Sequence, residues 1–372
     1  MASLQQTLVE LERLRRQWAR SLPADPAFAG PSDRLREVAA FGPDPGNLRM
    51  LAYVPPLLAA PRALVVVLHG CTQTAAGYDH GSGWSALAER HGFCLLYPEQ
   101  RAANNPKLCF NWFAEADTRR GEGEVRSIRS MIETMIRAHG IDRSRVHITG
   151  LSAGGAMACA MLATSPELFA AGGIVAGLPY GAATSVREAF EAMARGRDRP
   201  AEAWGDGIRA ASAHRGPWPR ITVWHGEADA TVAPANAEAL VRQWLDVHGI
   251  DAASVRNQPV PGASRRIWSG PRGVAVEAWL VPGMGHGTPL KTSGAGDDVC
   301  GHAGPFMIEA GISSTFAMAG AWGLTEQRMP ARPAEPGGKT GRPGPDLPMR
   351  STEVAASIRR ALAAAGLGRP RT

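Results

Sequence analysis

A chain of 372 residues, 44% hydrophobic and 20% charged, is long enough to bury a sizeable core in one large α/β domain or two smaller ones. Its net charge of +6 is spread as single arginines and short pairs, with no basic block and no nucleic-acid motif, which argues against a nucleic-acid partner. No apolar run approaches the ~20 residues that span a bilayer, and five cysteines without close pairs argue against a zinc site or a disulfide scaffold while leaving room for one bridge.

In chain order, residues 1–30 come first. Leu4, Leu8, Leu11, Trp18 and Leu22 recur at helical steps behind a capping box at Ser3 and Gln6. They predict an amphipathic helix docked on the domain rather than a membrane anchor. The segment has no apolar core or small-residue cleavage site of a secretory leader. Seven strands are then expected: "LRMLAYV", "ALVVVLHG", "FCLLYPE", "RVHITG", "GGIVAG", "ITVWHG" and "AVEAWLV". Several are near-continuous apolar runs, as strands buried on both faces of a parallel sheet must be. Helical patterns separate them: "WSALAERHG", "EVRSIRSMIETMIRAHG", "AGGAMACAMLATS" and "NAEALVRQWLDVHG". This alternation predicts a doubly wound α/β sheet over residues 31–324, with an antiparallel edge at its start. "IWSGPRGVAVEAW" predicts a late hairpin around Gly270 to Gly273. Residues 183–218 interrupt the alternation with the helical "SVREAFEAMARG" and an irregular stretch holding Pro200, Trp204 and Trp218, an insertion that reads either as a cap over a site or as surface padding. Residues 325–350, rich in Pro, Gly and Arg, read as a linker, and 351–372 as a short helix with Val354, Ile358 and Leu362 on one face, then a tail.

The chemistry lies in "RVHITGLSAGGAMACAML". A strand runs into Gly-Leu-Ser-Ala-Gly and then into a helix of small residues. In a strand–turn–helix elbow the nucleophile occupies a sharp, strained turn, and side chains at the flanking positions would strike the adjacent strand and helix. Gly150 and Gly154 suit those positions, and Ser152 would project at the carboxyl end of the sheet, beside helix N-terminal amides that stabilise negative charge. A plain N-cap serine is the simpler alternative.

A serine needs a base, and the base needs a carboxylate to orient it. In this kind of fold the order is Ser, Asp or Glu, then His. "ITVWHGEADATVAPAN" offers Asp229 after a late strand, with Glu227 as rival. "AVEAWLVPGMGHGTPL" offers His286 in a glycine-rich loop after the last strand, with His302 of "CGHAGPF" as rival. His225 precedes the acid and His147 lies within a strand, so both suit the base poorly; His147 reads as a core residue. An oxyanion hole needs two N–H donors. Ala153 follows the nucleophile, and Cys71 lies in the loop after "VVVLHG".

"FGPDPGNLRMLAYVP", "LHGCTQTAAGYD", "WSALAERHGFCLLYPEQ", "CFNWF", "GLSAGGAMA", "AGLPYGAA", "HGEADATVAPAN", "GMGHGTP" and "EAGISSTFAMAGAWGL" occur in this order between Phe41 and Leu324. Together they resemble the polyhydroxybutyrate (PHB) depolymerase family of esterases, similar to the feruloyl and acetylxylan esterases of carbohydrate esterase family one. The resemblance implies an α/β-hydrolase fold and hydrolysis of a polymeric or oligomeric carboxylic ester without metal or cofactor. It maps nucleophile, acid and base onto Ser152, Asp229 and His286, and suggests that Trp112 of "CFNWF" lines the substrate cleft, with packing in the core as the alternative. Phe110 stands where such proteins commonly have Trp. Cys71 and Cys109 fall where members form a disulfide beside the oxyanion loop, an outcome that depends on compartment. The family is largely exported, which the N-terminal segment does not announce. Insoluble polymer is a weaker expectation than short soluble esters, because the linker leads only to one short helix. A peptidase using the same triad and a non-catalytic polymer binder are the competing readings; the triad order argues against the binder.

Overall fold

A computed structural model describes residues 34–56, 58 and 62–326. The helices expected in 1–30 and 351–372, and the linker beyond residue 326, lie outside these. Ten strands form one sheet: β1 (Arg36–Glu37), β2 (Arg49–Tyr53), β3 (Arg62–Leu68), β4 (Cys94–Glu99), β5 (Ile141–Leu151), β6 (Ala171–Val175), β7 (Arg220–Gly226), β8 (Arg256–Val260), β9 (Ala263–Gly270) and β10 (Gly273–Val281), in the order β1-β2-β4-β3-β5-β6-β7-β10-β9-β8. The run from β4 through β3, β5, β6 and β7 to β10 is parallel. Antiparallel ribbons flank it, β1–β2 on one side and β9–β8 on the other. A parallel pair, β11 (Thr288–Leu290) and β12 (Met307–Glu309), forms a separate small sheet.

This is the expected doubly wound sheet. All seven expected strands are present, and the late hairpin is β9–β10, with Gly270 opposite Gly273. The parallel strands need crossovers, and helices supply them. The helices of the described residues are α1 (Ala75–Ser82), α2 (Trp84–His91), α3 (Glu115–Thr118), α4 (Gly123–His139), α5 (Ala153–Thr164), α6 (Val186–Arg195), α7 (Ala201–Ala210), α8 (Ala235–His248) and α9 (Ser314–Ala321), of which α9 follows the last strand. Every residue of α5 is buried, so its small side chains let it lie close against the sheet.

Helix α7 corrects the sequence reading, which left that stretch irregular. Gly205 and Gly207 each weaken a helix by about 1 kcal/mol relative to alanine and hid the pattern. Burial of Trp204 and Ile208, four residues apart on one face, outweighs them. At Gly205 a Cβ would lie 2.0 Å from the Asp246 carboxylate on α8, so any larger residue would require that side chain to move. The insertion therefore packs on α8, and it also grips the loop before it, through Ala233 N–H to Met193 O at 2.7 Å.

His147 is buried in β5 with its ring stacked on Trp322, 4.9 Å between centroids, and neither ring nitrogen has a hydrogen-bond partner among the described residues. Burial, helped by the charges of Arg220 and Arg145, pushes its pKa down to about 3. Between an unfolded value near 6.5 and that native value, the unfolded chain binds the extra proton. Stability from this site is therefore complete above pH 6.5 and is lost as pH falls toward 3. His147→Phe keeps a ring on Trp322 and removes the titration. Melting at pH 7 and pH 4 is expected to show a smaller acid loss in the variant, by on the order of a few kcal/mol. Equal losses would show that His147 does not drive it.

Candidate active site

Ser152 sits between β5 and α5 with φ +56° and ψ −118°, a conformation that non-glycine residues rarely adopt. The neighbouring strands over-determine it. A Cβ on Gly150 would lie 2.4 Å from the Gly154 backbone, and one on Gly154 would lie 2.4 Å from Leu68 O and 2.5 Å from His69 O. The glycines thus let the elbow close and press the start of α5 against the end of β3. Ser152 N–H bonds to Val175 O at 2.9 Å, while its hydroxyl has no hydrogen-bond partner among the described residues.

The contact with β3 brings Ala153 beside the loop 69–73. Neither the Ala153 N–H nor the Cys71 N–H has a partner among the described residues. Three ties hold that loop. Cys71 and Cys109 are joined by a disulfide, S–S 2.10 Å. Thr72 N–H donates to Lys107 O at 2.6 Å, and Gly70 N–H to Gln73 Oε1 at 2.8 Å. His69 adds a fourth constraint. Gln100 N–H donates to its Nε2 at 3.1 Å, so its hydrogen is on Nδ1, which donates to Gly70 O at 2.8 Å. Burial holds the His69 pKa below its ordinary value.

Asp229 follows β7 in a tight loop. Its Oδ1 accepts from Thr231 N–H at 2.8 Å and Val232 N–H at 2.9 Å; its Oδ2 accepts from His286 Nδ1 at 2.7 Å. The loop carrying His286 is stitched to the acid loop by Glu227 N–H to Val281 O and Ala228 N–H to Met284 O, both 3.0 Å. Burial alone would push the Asp229 carboxyl up, but the hydrogen bonds from His225 and His286 outweigh it and hold the group well below the usual carboxylate range. Both oxygens thus face donors, and Asp229 fixes the His286 tautomer with its free lone pair on Nε2.

Among the described residues, neither rival side chain bonds to Asp229 or His286. Glu227 is exposed. His302 stacks on His80 at 4.1 Å, and its Nδ1 lies 3.1 Å from His80 O; among the described residues no carboxylate pairs with it. No hydrogen bond joins Ser152 to His286 among the described residues; such bonds are often long before substrate binds. Trp112 is nearly buried and meets Phe113 edge-on at 5.7 Å, and Phe110 is buried against the His69 ring at 5.0 Å.

Three residues of the site escaped the sequence reading. His225, set aside as a base, lies on Asp229, its Nε2 3.3 Å from Oδ2; one is on a strand and the other in a loop, so their i, i+4 spacing carries no signal of contact. Gln100 ties His69 to Cys109 O. Glu124, buried at the start of α4, accepts from Gln100 Nε2 at 2.5 Å and from Asn111 N–H at 2.9 Å, and so anchors "CFNWF". Burial and the charge of Asp117 raise Glu124 to about 8. Among the described residues no group of three metal-ligating side chains occurs.

The pattern of the family described as Esterase PHB depolymerase matches residues 48–263, a span that holds Ser152 and Asp229 and ends before His286. The chain is 44% identical over 292 residues to poly(3-hydroxyalkanoate) depolymerase C of Paucimonas lemoignei, covering 78% of this chain and 70% of that one. It is 34% identical over 269 residues to acetylxylan esterase A of Emericella nidulans, covering 69% and 86%. The solved acetyl xylan esterase from Aspergillus awamori superposes with a TM-score of 0.63 at 30% identity, covering 68% of this chain and 93% of that one. The parallel sheet, the helices that wrap it and these likenesses lead to one statement: the chain belongs to the Esterase PHB depolymerase family and is a carboxylic-ester hydrolase with an α/β-hydrolase fold.

Proposed function

We propose that the protein hydrolyses esters through a Ser152–His286–Asp229 triad and an acyl-enzyme. The Asp229–His286 hydrogen bond of 2.7 Å, in an acid loop fixed by two further backbone donors, is the observation that carries this reading. His286 Nε2 takes the Ser152 proton as the hydroxyl attacks the ester carbonyl. Asp229, ionised, stabilises the imidazolium that results. The unpartnered N–H groups of Cys71 and Ala153 are offered to the oxyanion, where donors set in place before reaction contribute most. The alcohol leaves with the proton from His286. Water activated by the same ring then releases the acid. No step calls for a metal or cofactor.

We infer a hydroxyalkanoate ester as the substrate class, because identity to the depolymerase is 44% against 34% to an acetylxylan esterase. Trp112 is assigned to the cleft wall, with 183–218 as a further wall through its hold on the acid loop. The test is a parallel assay of soluble hydroxybutyrate oligomers, acetylated xylan, feruloyl esters and a peptide amide. The highest kcat/KM is expected on the oligomers; higher turnover of acetylated xylan would move the assignment to the acetylxylan class, and turnover of the amide alone would make the protein a peptidase.

The disulfide is expected to serve catalysis as well as stability. A bridge across 38 positions contributes typically about 2–4 kcal/mol. A displacement of about 1 Å in a catalytic group can cost ~100-fold in rate. Cys109→Ser, or reduction, should therefore lower the melting temperature and reduce kcat more than it raises KM. In protein made in an oxidising compartment, neither thiol should alkylate in the folded, unreduced state. Free alkylation of both would leave the oxyanion loop held by Thr72, Gln73 and His69 alone.

A further inference from the structure

We propose that His225 is a positioning residue for the acid–base pair: its Nε2–H is shared between Val232 O and Asp229 Oδ2, and it sets both the aim of the carboxylate and the strength of its hold on His286. The proposal rests on the triad reading above. His225 is the penultimate residue of β7, and its side chain is fully buried. Its Nε2 lies 2.8 Å from Val232 O and 3.3 Å from Asp229 Oδ2. A carbonyl oxygen only accepts, so the hydrogen is on Nε2 and points between the two oxygens. The other nitrogen, Nδ1, is buried with no hydrogen-bond partner among the described residues. A ring placed at that cost in a site this tight needs a return, since a buried polar atom without a partner costs about 1–3 kcal/mol.

The return is on Asp229. Its Oδ2 serves two imidazoles, His286 at 2.7 Å and His225 at 3.3 Å, while Oδ1 is occupied by backbone donors. With each oxygen committed, the carboxylate plane cannot rotate away from His286. Through Val232 O, His225 also fixes the loop whose N–H groups hold Oδ1. A second donor on Oδ2 draws off charge that would otherwise go to the His286 N–H. Asp229 and, beyond it, His286 are the titratable groups facing the ring. Loss of the His225 donor should therefore strengthen the Asp229–His286 bond, favour the imidazolium, and move the acid limb of the kcat/KM profile to higher pH.

The experiment compares His225→Leu, which fills space without a donor, with His225→Gln, whose Nε2 can reach the same point, on one soluble ester across pH 5–9. For His225→Leu the expected result is an acid limb raised by about 0.5–1 pH unit and kcat lowered ~10-fold, with KM changed much less. His225→Gln should recover most of both effects. A residue that only fills the core would move neither limb, and Gln would then be the worse variant. If the Leu variant does not fold, His225→Asn replaces it, since its shorter amide cannot reach Asp229. A profile superimposable on that of the parent, or Gln no better than Leu or Asn, overturns the proposal. Asp229→Asn runs alongside. If it is inactive while the His225 profiles do not move, His225 alone is misassigned; if it keeps parental activity, the triad reading falls and takes the proposal with it.

Discussion

Ser152→Ala is expected to abolish ester hydrolysis, lowering kcat by roughly 10⁴–10⁶-fold, the loss typical when the nucleophile of such a triad is removed. The fold should be untouched. The hydroxyl makes no hydrogen bond among the described residues, and alanine keeps the Cβ already accommodated at φ +56°. The strain of that conformation is borne by the backbone contacts of Gly150 and Gly154, which the substitution leaves in place. Melting should therefore shift by less than about 1 kcal/mol, within the range of a substitution that removes no packing or buried bond. A folded Ser152→Ala protein that still turns over a short p-nitrophenyl ester would remove the nucleophile from the account.

His286→Ala should lose a comparable factor, several kcal/mol of transition-state stabilisation, and His302→Ala much less. The contrast follows from what each ring touches. His286 presents Nδ1 to Asp229 at 2.7 Å, which leaves Nε2 for the serine proton. His302 lies on His80 with its Nδ1 3.1 Å from a backbone carbonyl, and among the described residues no carboxylate pairs with it to stabilise an imidazolium. His286→Ala also leaves Asp229 one donor short in a buried position, so some loss of stability should accompany the loss of rate. Comparable rates for the two variants, measured on the same ester, would contradict the assignment of the base.

The strands could be read because burial on both faces leaves little but apolar residues, as in β3, where Ala63 to Leu68 are all buried. The elbow could be read because close backbone approach leaves glycine as the tolerated residue at two flanking positions. The same logic fails where local pattern and tertiary packing disagree. Helix α7 is stabilised by Trp204 and Ile208 against glycines of low helix propensity. Strand β8, "RNQPV", is a largely exposed edge whose polar side chains carry no alternation. The three-residue strands β11 and β12 are too short to show a period. His225 was visible as a residue and not as a partner of Asp229, because the loop that turns the carboxylate back onto the strand end is set by Thr231 and Val232 amides, which no side-chain pattern announces.

The central claim, that Ser152 is activated by His286 and Asp229 as the nucleophile of an acyl-transfer site, is most directly tested by peptide mapping after a fluorophosphonate probe. A single adduct per chain is expected, carried on Ser152, formed rapidly in the parent protein and slowed by orders of magnitude in His286→Ala. An adduct on another serine, or hydrolysis that continues after Ser152 is fully labelled, would contradict it.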